Sequence, residues 1–219
     1  MYLSRLLLNS RSRQVQRETA DPYNLHRTIM QAFDPKRDQA GVLHRMEIDP
    51  RTGVVMLLVQ SLAKPDWSTL AEKDYLLPAD PFSGLENPAV KEFTLPLRTG
   101  QILRFRLVAN PTVKRDGKRH PLYKEDDQRL WLTTKGTGSE EKKRDGSGFR
   151  VLEMAVQKHG NQHGWIRRDD EEKHRLTLHT VQFDGRLEIT DVGKFKTVVR
   201  TGIGPAKAFG CGLLSLAPG

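Results

Sequence analysis

The spacing of apolar and polar positions predicts most elements of this chain. Tyr2–Leu8 is a predicted strand. Asp21-Pro22 opens a helix, with Asp21 as N-cap and Pro22 at the first helical position. That helix runs to Phe33 and stops at Asp34-Pro35. Val42, His44, Met46 and Ile48 alternate with Leu43, Arg45, Glu47 and Asp49, the period of a strand. Pro50-Arg51-Thr52-Gly53 turns the chain into a partner strand, Val54–Ser61. A short helix is expected around Trp67–Lys73, and Leu76–Pro96, with four prolines, reads as an irregular connector.

The pattern then starts again. Gln101–Ala109 alternates Leu103, Phe105 and Leu107 with Arg104, Arg106 and Val108, an apolar face backed by a partly cationic one. A basic loop follows, then a helix near Asp126–Lys135 and a strand at Phe149–Gln157. His159–Glu172 is polar and reads as a long hairpin loop. Arg175–Phe183 is a strand ended by an Asp184-Gly185 turn signal. Leu187–Thr190 is extended, Asp191–Arg200 is a helix opened by an Asp cap, and Leu213–Leu216 is a last strand. Each half can be written strand–helix–strand–strand–helix–strand. The expectation is an α+β protein of two tandem ferredoxin-like domains, 1–90 and 91–219, although the first half shows no clear fourth strand.

Composition narrows the partner. Lys plus Arg is 36 and Asp plus Glu is 27 in 219 residues, a net charge of +9 with a pI near 9.8. A polyanion, first of all a nucleic acid, is the default partner of such a chain. The excess is clustered: Arg98–Arg119 sets seven cations against Asp116 alone, and Lys194–Lys207 holds four with no acid. The single Cys211 excludes an intrachain disulfide and a cysteine-based zinc cluster. Apolar runs such as Val54–Val59 are too short to span a bilayer, and Met1–Leu8 lacks the features of a signal peptide. A soluble, cytoplasmic protein without membrane or small-molecule cofactor is expected.

Gly202, Gly204, Gly210 and Gly212 sit in the run G-I-G-P-A-K-A-F-G-C-G. The spacing fits neither a Walker loop nor G-x-G-x-x-G, and the run lies between a helix and a strand, so a mononucleotide site is disfavoured. Its glycines either let backbone N–H groups face an anion or only satisfy turn geometry. Gly-hydrophobic-Gly, five residues with a Lys, then Gly-x-Gly resembles the ending of the repeat-associated CasE family, the precursor CRISPR RNA endonucleases of type I-E Cascade. Met1–Arg5, Tyr23-Asn24-Leu25-His26-Arg27, the basic run Lys114–Arg119 and His179–Gly185 resemble other parts of that family in matching order.

On the helix from Pro22, Leu25, Ile29, Ala32 and Phe33 fall in one apolar arc, with His26 at its border and Arg27 towards solvent. Tyr23 and His26 are three apart and neighbour each other. A Tyr–His pair beside a guanidinium suits RNA cleavage without metal: His moves protons, Tyr donates a hydrogen bond, and a cation steadies the charged phosphorane. Taken alone, a helical His is more often structural. The resemblance implies that His26 is the principal acid or base and Tyr23 its support, with Arg27 a phosphate contact. The family cuts at the base of a repeat hairpin and keeps the product within Cascade, so further subunits are expected partners.

Three elements are candidates to hold RNA: the loop with Lys114, Arg115, Lys118 and Arg119; Arg167 and Arg168 in a segment the resemblance places against the RNA groove; and Arg200 and Lys207 in the stretch Lys194–Lys207. His44, His120 and His174 lie beside basic residues and are weaker candidates, while His179 on its strand reads as structural. His159 and His163 lack a helix and a further ligand, and Asp169–Glu172 reads as a solvated acidic run, so no metal site is expected. Cys211 reads as a small packing residue. The rival readings are a non-catalytic repeat-associated RNA-binding subunit and a generic basic scaffold protein.

Overall fold

In a computed structural model, residues 1–34, 39–79, 86–141, 144–166 and 174–219 are described. The chain divides into two compact units. The first comprises residues 1–94, 163–176 and 208–210, and the second comprises 95–162, 177–207 and 211–219.

The first unit runs β1 (Tyr2–Leu8), α1 (Arg13–Ala20), α2 (Pro22–Gln31), β2 (Leu43–Ile48), β3 (Val55–Ser61), α3 (Ser68–Glu72) and β4 (Ala89–Glu92). Its antiparallel sheet has the order β2-β3-β1-β4. That is the ferredoxin-like arrangement, and it includes the fourth strand that the sequence hides. β4 is a four-residue edge strand, paired to Tyr2–Arg5. Its approach is set by Asn87, whose side chain accepts from the Leu7 N–H at 2.9 Å and donates to the Leu7 and Leu77 carbonyls.

Helix α1 was not predicted. Its only large buried apolar residue is Val15, and its other buried residue is Glu18. Glu18 is satisfied inside: Tyr75 Oη donates to it at 2.6 Å and Gln14 at 2.9 Å. The core joins Leu6 and Leu8 of β1, Leu57 and Val59 of β3, Val15, Leu70, and the α2 stripe Leu25, Ile29, Ala32 and Phe33. The predicted apolar arc of α2 is therefore the face it buries. Trp67 closes this core edge-on to Phe33 and donates its Nε1–H to Ser4 Oγ at 3.0 Å.

The second unit contains β5 (Ile102–Ala109), a hairpin β6 (Thr112–Arg115) and β7 (Lys118–Pro121), α4 (Glu125–Thr137), a minor pair β8 (Gly138–Ser139) and β9 (Arg144–Asp145), then residues 149–162 of β10 (Phe149–Ile166), 177–189 of β11 (His174–Ile189), α5 (Val192–Thr201) and β12 (Leu214–Pro218). Its four-stranded sheet has the order β10-β11-β5-β12, the same connectivity. Stacked Trp131 and Phe183 tie α4 to β11, and Phe149 meets Phe195 edge to face.

Three local expectations are corrected. The polar stretch from His159 is not a loop: β10 continues to Ile166 and β11 resumes at His174. Asp184-Gly185 is not a turn but lies within β11, where a Cβ at Gly185 would collide with the Glu153 carbonyl of β10. The basic loop is a hairpin, closed by Asp116 and Gly117 with φ of 48° and 76°. Two successive positive φ values are the type I′ requirement, so the Asp-Gly signal belongs here.

Candidate active site and nucleic-acid interface

The first turn of α2 is fixed by Asp21, which ends α1 and caps α2. Its carboxylate accepts from the Tyr23 N–H at 3.1 Å and from Asn24 Nδ2 at 2.9 Å, and Pro22 occupies the first helical position. This cap sets the direction in which Tyr23 and, one turn later, His26 leave the helix.

Each side chain has its own aromatic neighbour. The Tyr23 ring lies 6.2 Å from that of Phe209, at 31°. The His26 ring stacks on His44, with centroids 5.6 Å apart and planes 19° apart. His26 is half-buried, and its Nδ1 is enclosed without a hydrogen-bond partner among the described residues. Burial lowers its pKa below the usual 6.5. His44 is 1% exposed. Burial first, and the neighbouring His26 second, push its pKa down to about 3. His44, a weaker candidate for an RNA contact, is buried instead: β2 turns it inward, as its alternation with Val42 and Met46 allows.

The glycine-rich segment has its residues 208–210, with Phe209 and Gly210, in the first unit. All four of its glycines have positive φ, and Gly210, at +79°, lies against the His44 ring: a Cβ there would stand 3.8 Å from Cδ2 and Nε2. The amides of 202, 203, 211 and 212 donate to the carbonyls of Val198, Gly212, Ala206 and Val108. For those four amides turn geometry, not anion binding, is the role in this structure. Lys207 is half-buried at the start of the 3₁₀ turn Lys207–Phe209, and Arg200 is exposed in the last turn of α5. Cys211 is fully buried and its thiol is pushed up to about 12 by desolvation, which leaves it a packing residue.

Arg27 is exposed and, with Arg17, lines a polar cleft of about 340 Å³ between α1 and α2. Lys114, Arg115, Lys118 and Arg119 are all exposed on the β6–β7 hairpin, where Lys114 pairs with Arg119 and Arg115 with Lys118 across the strands. Like charges directly opposite one another destabilise a hairpin. By contrast Arg106 of the cationic β5 face is bonded to Asp184 at 2.6 Å, and Arg150 to Glu188 at 2.6 Å. That part of the basic excess is neutralised within the sheet. Arg167 and Arg168, and the acidic run 169–172, lie outside the described residues. Among the described residues no cluster of three or more His, Cys, Asp or Glu is placed to hold a metal, and no helix is long and apolar enough to cross a membrane.

Residues 1–218 match the family model of the CRISPR associated protein family. The chain belongs to this family. It is 34% identical to the CRISPR-associated endoribonuclease Cse3 of Thermus thermophilus and 29% identical to the Cascade subunit CasE of Escherichia coli, over the full length of both partners in each case. Its structure superposes on Cse3 bound to a 19-nucleotide RNA with a TM-score of 0.79 at 36% identity, covering 100% of both chains. For Cas6e of Escherichia coli the TM-score is 0.68 at 27% identity, again over both whole chains. Membership of this CRISPR-associated family agrees with the tandem ferredoxin-like halves and with the glycine-rich ending. Sequence reasoning did not place His44 beside His26 or Phe209 beside Tyr23. The inward alternation of β2 was the available signal for His44. Nothing in the spacing pointed Phe209 towards Tyr23.

Proposed function

We propose that this chain is a metal-independent endoribonuclease that cuts precursor CRISPR RNA at the base of the repeat hairpin. The 2′-hydroxyl oxygen attacks the adjacent phosphorus, the bond from phosphorus to the 5′-oxygen breaks, and the leaving oxygen takes a proton. The products are a 2′,3′-cyclic phosphate and a 5′-hydroxyl end. His26 and Tyr23 carry the chemistry, and the half-buried imagery of an acid-base residue fits His26: desolvation keeps its ring neutral at pH 7, the form that accepts the 2′-hydroxyl proton. Tyr23 offers a phenol to the phosphorane oxygens, and Arg27 on the next flank of α2 meets the entering strand.

The observation that carries this reading is the His26 site itself, in a chain related over its whole length to a named endoribonuclease. Helix α2 supplies the chemistry, and the basic elements supply retention. The β6–β7 hairpin cations, with Arg167, Arg168, Arg200 and Lys207, hold phosphates of the product RNA. The chain then remains on its guide RNA as a subunit of a cytoplasmic Cascade. The test is cleavage of repeat RNA in EDTA by the wild type and by His26→Ala. Cutting by the wild type and its loss in the variant are expected. Equal cutting by both removes His26 from the mechanism, and loss of wild-type cutting in EDTA identifies a metal nuclease.

A further inference from the structure

His44 is an unusual residue for its place. It lies on β2 opposite Val59 of β3, 1% exposed, with neither ring nitrogen bonded to any described group. A buried polar atom without a partner is unfavourable, so an apolar side chain would stabilise this core better. What the ring does have is the face of His26, with centroids 5.6 Å apart and planes 19° apart.

We propose that His44 is a positioning residue for His26, a flat uncharged wall that fixes the catalytic ring in one rotamer. The inference rests on reading His26 as the catalytic group. A ring held on one face cannot swing about χ2, so its reactive nitrogen stays aimed. Stacked at this distance the two imidazoles are not hydrogen-bonded, so His44 relays no proton; its effect is steric and dielectric. Protonating either ring would put a charge against the other, which favours the neutral pair. The other ionisable groups on the neighbouring elements are Tyr23 and Arg27 on α2, and Arg45 and Glu47 on β2, the last two bonded to each other at 2.7 Å. β3 and the segment 208–210 carry none.

The test compares His44→Ala, His44→Phe and His44→Gln in the full chain. Each is assayed by single-turnover cleavage of repeat RNA, RNA affinity, and NMR titration of the His26 ring. Removal of the wall in His44→Ala is expected to slow cleavage by about tenfold or more without changing affinity, and to move the His26 midpoint up towards 6.5. His44→Phe keeps a flat face and is expected to hold the rate within about threefold of wild type, whereas His44→Gln keeps polarity, loses the face and loses the rate. If His44→Ala does not fold, the Phe and Gln pair decides. Wild-type rates in Ala or Gln overturn the inference, and so does equal slowing in Phe and Gln with an unmoved His26 midpoint. His26→Ala in the same assay separates the two levels. Full cutting by it removes the catalytic reading, whereas its loss beside unaffected His44 variants removes only the positioning role.

Discussion

Tyr23 on the second helix and Phe209 in the C-terminal glycine-rich segment lie with ring centroids 6.2 Å apart, although 186 positions separate them in the chain (209 − 23). Phe209 is 7% exposed, so the contact is an inner support rather than a surface touch. Phe209→Leu keeps apolar volume and removes the aromatic pairing. It is expected to cost about 0.5–1.5 kcal/mol in stability. It is also expected to lower single-turnover cleavage by about tenfold through misplacement of Tyr23, with RNA affinity unchanged. A rate equal to wild type in a variant of reduced stability would show that Tyr23 needs no such support.

Tyr75 and Glu18 are both buried, and their hydrogen bond of 2.6 Å anchors α1 to the end of the first core. Burial, reinforced by the carboxylate acceptor, drives the phenol pKa well above its usual range, so Tyr75 remains a donor throughout the working pH range. Tyr75→Phe leaves one carboxylate oxygen without that donor. A loss of about 1–3 kcal/mol in chemical denaturation is expected, with the repeat-cleavage rate of the folded fraction unchanged. Equal denaturation midpoints for variant and wild type would contradict it.

Those two contacts also explain what the sequence could and could not reveal. The α2 stripe was legible because Leu25, Ile29, Ala32 and Phe33 follow helical spacing and bury apolar surface, the one force a pattern records well. Helix α1 was not, because half of its buried face is Glu18, a charge whose partner lies 57 residues away. β4 escaped because a four-residue edge strand is specified by Asn87 and by β1, not by its own alternation. At the site, the resemblance and the helix spacing drew attention to Tyr23 and His26. Their supports come from β2 and from positions 209 and 210, brought there by tertiary folding, and no local period encodes that.

Acid sensitivity follows from His44. Its folded pKa of about 3 lies below the 6.5 of the unfolded chain, so the unfolded state takes up the proton first. The contribution to stability is complete above pH 6.5 and is lost as pH falls through the interval down to about 3. Each unit is worth about 1.4 kcal/mol, so His44 alone removes about 2 kcal/mol between pH 7 and pH 5. The lowered pKa of His26 acts in the same direction. Urea denaturation at the two pH values measures the loss, and His44→Phe is expected to flatten it. An unchanged slope in that variant would mean that the buried imidazole is not what titrates.

The basic hairpin makes a separable prediction, because its four cations are exposed and, unlike Arg106, have no acid bonded to them among the described residues. Each phosphate contact steepens the fall of log affinity with log salt by about 0.7–0.9. Replacing Lys114, Arg115, Lys118 and Arg119 together by Ala is expected to reduce the salt slope for repeat RNA by about 3. Affinity at low salt should fall with it. The cleavage rate at saturating protein should hold, since the proposed chemistry lies on α2. Arg106→Ala is the control: its guanidinium is already paired with Asp184, and its loss is expected to leave the slope within about 0.3 of wild type. A slope unchanged by the fourfold variant, or reduced as much by Arg106→Ala, would move the RNA surface from the β6–β7 hairpin to the face of the β5 sheet.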